Sequence, residues 1–316
     1  MSNYIHLLFI SLFCFYFSGC KENTESTQTE HSDSVQSKAN ENSSDNVWGE
    51  DGKSVLLKSN WIPGKQYLFR QATDMQMDLP LAGADGSKTE MSIDVKIDVE
   101  SLDQSSNKKI KLGFDKVKMS MQMAGQNMVY DSEDPDNQSP LLKTTLSSLS
   151  DQLYEATFDK NNKILSVEGE GEGAANGLGM GAMSEGDVET MLQQLGDFQF
   201  PETMIEPGAK WQNEQTFKMQ QIGEMKMAVD YTYVGPSDYD GKKVAKISFV
   251  GKAEVSGEGL VSFKNSKMSG TLLFDPELGI LSDSETKMDM TMSIGGDAGA
   301  EMDTTTISKY SLISIK

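Results

Sequence analysis

The chain has 316 residues, 37% of them hydrophobic, with 28 Lys and Arg against 48 Asp and Glu and a formal net charge of −20. That length and apolar content suit one large or two ordinary folded domains. The charge excludes nucleic acid as a partner, because phosphate binding draws on clustered Lys and Arg, and Arg70 is the single arginine; it also opposes adsorption to anionic lipid, so membrane attachment needs a covalent or apolar anchor.

Residues 7–17 are apolar, a run too short to cross a hydrocarbon core of roughly 30 Å and suited to the core of a signal peptide. Phe17-Ser18-Gly19-Cys20 follows at once. This resembles the lipobox of bacterial lipoproteins, in which small residues let the peptidase approach the backbone and a free thiol takes a diacylglycerol. The resemblance implies removal of residues 1–19 and lipidation of Cys20. It departs from the usual pattern in having Phe17 where Leu is common, and in lacking Lys or Arg ahead of the apolar run. The only other cysteine, Cys14, leaves with the signal, so the fold has no disulfide and packing alone must hold it.

Residues 20–48 read as the lipidated cysteine followed by a disordered polar tether. Their Ser, Thr, Glu, Asp, Asn, Gln and Lys offer too little apolar surface to repay ordering. A flexible chain of that length spans roughly 30 Å, enough to stand a domain clear of the membrane. Lys21 and Glu22, rather than aspartate, follow the cysteine, which favours onward transport to the outer membrane.

From Lys65 onward the pattern alternates with period two, the mark of half-buried antiparallel strands. In residues 90–100 Met91, Ile93, Val95, Ile97 and Val99 share one face, and Val117, Met119, Met121 and Met123 repeat the pattern. It returns at Met225, Met227, Val229, Tyr231 and Tyr233, then at Met288, Met290, Met292 and Ile294. Turn residues at 83–86, 103–107, 159–162, 238–241 and 295–299 separate the strands. Two short helices are expected between the β regions. The first covers residues 140–153, with Ser139 as N-cap and Leu142, Leu146, Leu149 and Leu153 on one face; the second covers residues 184–195, with Val188, Met191, Leu192 and Leu195 as its stripe.

The sequence also repeats. Phe158-Asp159 through Ile164-Leu165-Ser166 matches Phe274-Asp275 through Ile280-Leu281-Ser282, and Pro63-Gly64-Lys65-Gln66-Tyr67 answers Pro207-Gly208-Ala209-Lys210-Trp211. The expected fold is therefore mainly β. Two related antiparallel β units, 62–168 and 206–316, form curved sheets or an open barrel-like shell, with a Gly-rich linker and short helix at 169–205. The lipobox, the tether, the Pro-Gly-Lys-Gln-Tyr opening, Val129-Tyr130-Asp131-Ser132-Glu133-Asp134-Pro135 and the Phe158-Asp159 hairpin together resemble a domain-of-unknown-function family of bacterial lipoproteins with a repeated β domain. That resemblance implies an exported two-half β protein and no particular activity.

The chemistry available is narrow. His31 is the one histidine after the signal and lies in the tether, so the fold lacks the residues for Ser-His-Asp or Cys-His catalysis and for ordinary zinc sites. No carboxylate spacing singles out an acid–base pair, and the chain reads as a non-enzyme without a cofactor. The carboxylates of residues 131–137 lack the spacing and glycine of an EF-hand and read as a solvated turn. The Gly-Glu run at 168–173 fails as a phosphate loop, since its glutamates repel phosphate, and reads as linker.

The chain carries 20 methionines, many as Met-x-Met, including Met75 and Met77. Thioethers are soft Cu(I) ligands, but with no His or Cys beside them the methionines read first as adaptable filler on an inward face. The next reading is a lining for an apolar ligand, formed by Met119, Met121, Met123, Met225, Met227, Met288, Met290 and Met292. The function expected is a binding or carrier module for an apolar ligand or envelope protein, tied to the cell-envelope membrane through its N-terminal lipid. The alternative is a structural or interaction lipoprotein with no small ligand.

Overall fold

The computed structural model describes residues 46–78, 86–102, 107–123, 125–147, 149–159, 162–170, 188–189, 191–192, 199–219, 223–256, 261–294 and 300–316. Cys20 and the signal, nearly all of the tether, the turns around 79–85, 103–106 and 295–299, and most of the Gly-rich linker lie outside them.

The first half supplies β1 (Gln66–Asp78), β2 (Ser87–Leu102), β3 (Lys108–Met123), β4 (Gln126–Asp131), helix α1 (Pro140–Leu146), a single-turn 3-10 helix (Leu149–Asp151), β5 (Leu153–Phe158) and β6 (Ile164–Glu170). The second supplies β7 (Lys210–Met219), β8 (Gly223–Tyr239), β9 (Lys242–Ser256), β10 (Val261–Asp275), β11 (Ile280–Ile294) and β12 (Ala300–Ile315). All the strands join one antiparallel sheet in the order β6-β5-β3-β2-β1-β12-β11-β10-β9-β8-β7, with β4 paired to the C-terminal part of β3. The two halves are thus welded where β1 meets β12. Since β6 and β7 remain edges, the sheet does not close into a barrel.

Period-two alternation places the core on one face, here called inner. In β2, Ile93, Val95, Ile97 and Val99 are buried as their spacing requires, with Met91 half-buried. The exception is Asp94, buried on the outer face. The Arg70 guanidinium donates to both its carboxylate oxygens, at 2.7 and 2.8 Å, the forked geometry that makes a lone arginine useful here.

The repeat is visible in the hydrogen bonds. Gly64 N–H donates to Val99 O at 2.8 Å while Val99 N–H donates to Lys65 O at 2.9 Å; in the second half Gly208 N–H donates to Tyr233 O at 2.7 Å and Tyr233 N–H to Ala209 O at 2.9 Å. Gly64 and Gly208 both sit at positive φ, 78° and 92°, which a side chain would resist. In both hairpins an aspartate opens the turn, Asp159 accepting from Lys163 N–H and Asp275 from Glu277 and Leu278 N–H. β4 and β5 pair successive parts of β3 much as β10 alone pairs β9, so α1 interrupts what is one strand in the second half.

A strap of residues 46–62 crosses between the halves. Its Trp48, Val55, Leu57 and Trp61 are buried, so Trp48, the last residue assigned to the tether, packs into the fold. One peptide group of the strap reaches both repeated hairpins: Ser59 O accepts from the Asn162 side-chain amide, and Asn60 N–H donates to Gly279 O at 2.7 Å. In a flat sheet those turns stand six strand spacings apart, about 29 Å. A single peptide spans them only because the sheet curls, as large twisted sheets do.

The helices differ in detail from their sequence pattern. α1 ends at Leu146, and Leu153, expected on its apolar face, instead starts β5 and is 51% exposed. Ser139 makes no side-chain cap, because its hydroxyl accepts from Val129 N–H at 3.0 Å and ties α1 to β4. Of the second expected helix, residues 188–189 and 191–192 are described and helical, with Val188, Met191 and Leu192 buried in the core. β6 continues through Gly169 and Glu170, the first residues read as linker.

Candidate ligand-binding face

Strand pairing decides which predicted residues meet. Met121, Met288 and Met290 lie on the inner face near the β1/β12 seam, with Met119 and Met292 one step to either side; all are buried. Met123 and Met227 are half-buried on the same face, and Met225 stands on β8 opposite Phe217 and Val255, its side chain outside the described set.

The register adds residues the methionine pattern did not single out as lining. Directly paired positions carry Met121, Thr89, Met75, Thr306, Met288 and Met268 across β3, β2, β1, β12, β11 and β10. The adjacent row carries Ser87, Met77, Thr304, Met290 and Ser266 across β2, β1, β12, β11 and β10. Hydroxyl and thioether therefore alternate strand by strand from β3 to β11 in the first row, where Met268 then follows Met288, and throughout the second, at about 4.8 Å per step; neither row contains a charged residue. The signal was present in β12, where Met302, Thr304, Thr306, Ser308 and Tyr310 alternate with period two, but Thr and Ser at inward positions read as polar and hid it.

This part of the face is undersatisfied. Thr304 Oγ1 and Thr306 Oγ1 are buried without a hydrogen-bond partner, in residues 2% and 0% exposed; Gln71 Oε1 is also buried without one, but four residues before Met75 on β1, in the row of Ile93 and Tyr310. One hydroxyl pair is satisfied, Thr73 with Ser308 at 3.3 Å. Thioether side chains are unbranched and polarizable, so the rows can change shape more readily than a core of branched or aromatic residues.

The other end of the inner face is aromatic and closed. Trp61 packs edge-on against Tyr67 at 5.3 Å between ring centres, and the Tyr67 hydroxyl accepts from Ile62 N–H at 3.1 Å. The Lys108 amine donates to Asn162 and, at 3.1 Å, to Asn60, and burial pushes its pKa below the usual lysine range. In the second half Tyr231 stacks on Trp211 at 5.4 Å, and burial holds its hydroxyl up at about 12; Tyr233, which donates to Lys53 O at 2.7 Å, is likewise raised to about 12 by burial.

Acidic residues 131–137 do not converge. Lys116 binds Glu133 at 2.6 Å, Lys118 binds Asp131 at 3.0 Å and Glu133 at 3.2 Å, and Asp131 accepts from Glu133 N–H, which with Lys118 holds its carboxyl below the usual range. A trough of about 570 Å³ on the outer face, lined by residues such as Ala72, Ser92, Lys118, Ser120 and Asn137, is open and mixed in charge.

The molecule is thus an unclosed antiparallel β domain whose inner face is aromatic at one end and thioether–hydroxyl at the other. The chain belongs to a family of unknown function, DUF6263, whose profile matches residues 105–306. No curated protein sequence matches it. Among solved structures it is similar to a chain described under lipid–protein interactions in lipovitellin, at 12% identity over 81% of this chain with a TM-score of 0.44; it spans only 26% of that chain's length. It is also similar to DynF from the dynemicin biosynthesis pathway of Micromonospora chersina, at 9% identity over 84% of this chain and 90% of that one, TM-score 0.21. A third is the translocator domain of the autotransporter NalP from Neisseria meningitidis, at 7% identity over 81% and 90%, TM-score 0.21.

Proposed function

We propose that this chain is a lipid-anchored protein of the bacterial cell envelope, held by acyl chains on Cys20 and favouring the outer membrane. Its β domain works outside the cytoplasm as a non-catalytic binding or carrier module for an apolar ligand or an envelope partner. The observation that carries the reading is the inner face itself, where uncharged rows of methionine and threonine offer an adaptable lining. The anchor rests on Phe17-Ser18-Gly19-Cys20 and the polar stretch behind it.

A structural role without a small ligand is the second reading, favoured by the burial of Val188, Met191 and Leu192 in the same core as the sheet, which is how a filled interior looks. One preparation separates the two. The full chain carrying Cys20→Ala, exported and purified without detergent, is extracted with organic solvent and the extract read by mass spectrometry. A lipid present at near one per chain supports the carrier; a bare chain supports the structural role. The same variant tests the anchor, since it is expected in the soluble fraction while the unmodified chain sediments with membranes. A Cys20→Ala chain that still sediments removes the anchor from the proposal.

A further inference from the structure

The carrier reading leaves open what kind of apolar molecule fits. Three features of the seam narrow it. The first is a pair of buried oxygens without partners, Thr304 Oγ1 and Thr306 Oγ1. Native proteins leave few such groups, and each costs on the order of 1–3 kcal/mol if nothing binds it. Placing two at successive inward positions of β12 is an expensive way to build a core. It is reasonable for a surface that meets a polar group part of the time.

The second feature is their setting. Thr304 lies directly between Met77 and Met290, and Thr306 between Met75 and Met288. Each hydroxyl is therefore flanked on both sides by a flexible thioether chain that can swing aside for a hydrocarbon tail. The two threonines stand two residues apart on one strand, which puts their hydroxyls about 7 Å apart, the reach of a glycerol unit with one ester. The third feature is charge. Neither row holds a Lys or Arg, so an ionised phosphate or carboxylate would be buried there without a counter-ion, at a cost no hydroxyl can offset.

We infer that the β1/β12 seam is the head-group subsite of this carrier, and that its ligand class is a neutral, hydroxyl-bearing lipid such as a diacylglycerol. The ligand's hydroxyl donates to one threonine oxygen, the threonine hydroxyls donate to its ester oxygens, and its chains lie along the methionines of the two rows. The inference rests on the carrier reading and adds to it a choice of head group.

The test uses the full chain with Cys20→Ala, incubated with phosphatidylcholine vesicles that contain dioleoylglycerol, dioleoyl phosphatidic acid or squalene, then separated from them and analysed for bound lipid. Dioleoylglycerol is expected on the protein at about tenfold or more over phosphatidic acid, whose ionised head would be buried without a counter-ion. The double variant Thr304→Val, Thr306→Val is expected to lose about tenfold in dioleoylglycerol while retaining squalene unchanged. It should also resist urea at least as well as the parent, because a methyl group replaces an unpaired hydroxyl. Equal retention of phosphatidic acid by the unmutated chain, or full retention of dioleoylglycerol by the valine variant, overturns the head-group assignment and leaves the carrier standing. A folded, unmutated chain that takes up none of the three lipids overturns both. The selectivity of the unmutated chain decides the matter even if the double variant does not fold.

Discussion

The two ends of the inner face are built from different materials and held by different means. At the end of the repeated hairpins, Trp61, Tyr67 and Phe69 interlock as rings, and one peptide of the strap fastens the turn at residues 159–162 to the turn at 275–279. At the other end the strands carry methionine, threonine and serine in alternation, with hydroxyls left unpaired. Both ends leave buried polar groups unpaired, the indole N–H of Trp48, Trp61 and Trp211 at the first, but stiff interlocked rings make a joint, whereas flexible thioethers beside hydroxyls make a surface that can be remodelled. The difference suggests that stability resides mainly at the first end and binding at the second, and substitutions at each end should tell them apart.

The largest effect is expected at Trp61. It is nearly fully buried and touches both Tyr67 and Phe69. Trp61→Ala leaves a large cavity under the strap and should cost about 3–5 kcal/mol in urea unfolding. A loss under about 1 kcal/mol would mean that the strap contributes little and that the curl is set by the sheet alone.

Next in size is Gly279→Ala. Gly279 has φ 70°, and a Cβ there would sit 2.6 Å from Asn60 Cβ and 2.7 Å from its nitrogen. The residue therefore combines left-handed backbone with close approach of the strap, and alanine should cost about 1–3 kcal/mol. Lys108 and Asn162 would keep the other half of the clasp, so the expected state is folded but with faster hydrogen exchange at Asn60 N–H. Unchanged exchange at that amide would show that the strap is not held by the second hairpin.

Much of this architecture was legible in the residues. Alternation in 90–100 located β2 and its inner face, and the two Pro-Gly openings predicted turns that prove to share the same backbone hydrogen bonds. Two things were not. The pairing of β1 with β12 joins the ends of the described fold, and no local pattern encodes a contact that distant. The head-group hydroxyls were missed for a different reason. Inward Thr89, Thr304 and Thr306 look like outward residues to any reading that equates polar with exposed, and only the register against Met75, Met77, Met288 and Met290 shows which way they face. Leu153 failed in the opposite sense, an apolar residue assigned to a helix face that begins a strand with its side chain toward water.

The smallest stability change is expected where the binding effect should be clearest. Met288 and Met290 are buried beside Thr306 and Thr304, and leucine nearly matches methionine in volume, so Met288→Leu with Met290→Leu should shift stability by less than about 1.5 kcal/mol. Leucine, however, is branched and has fewer rotatable bonds, and cannot bend around an incoming chain as a thioether does. Lipid uptake by the Cys20→Ala chain should therefore fall for squalene and dioleoylglycerol alike, in contrast to the valine variants, which should affect only the lipid with a polar head. If the leucine pair instead destabilises the fold as much as Trp61→Ala, the methionine rows are tightly fitted core, and the contrast between a structural end and an adaptable end is lost.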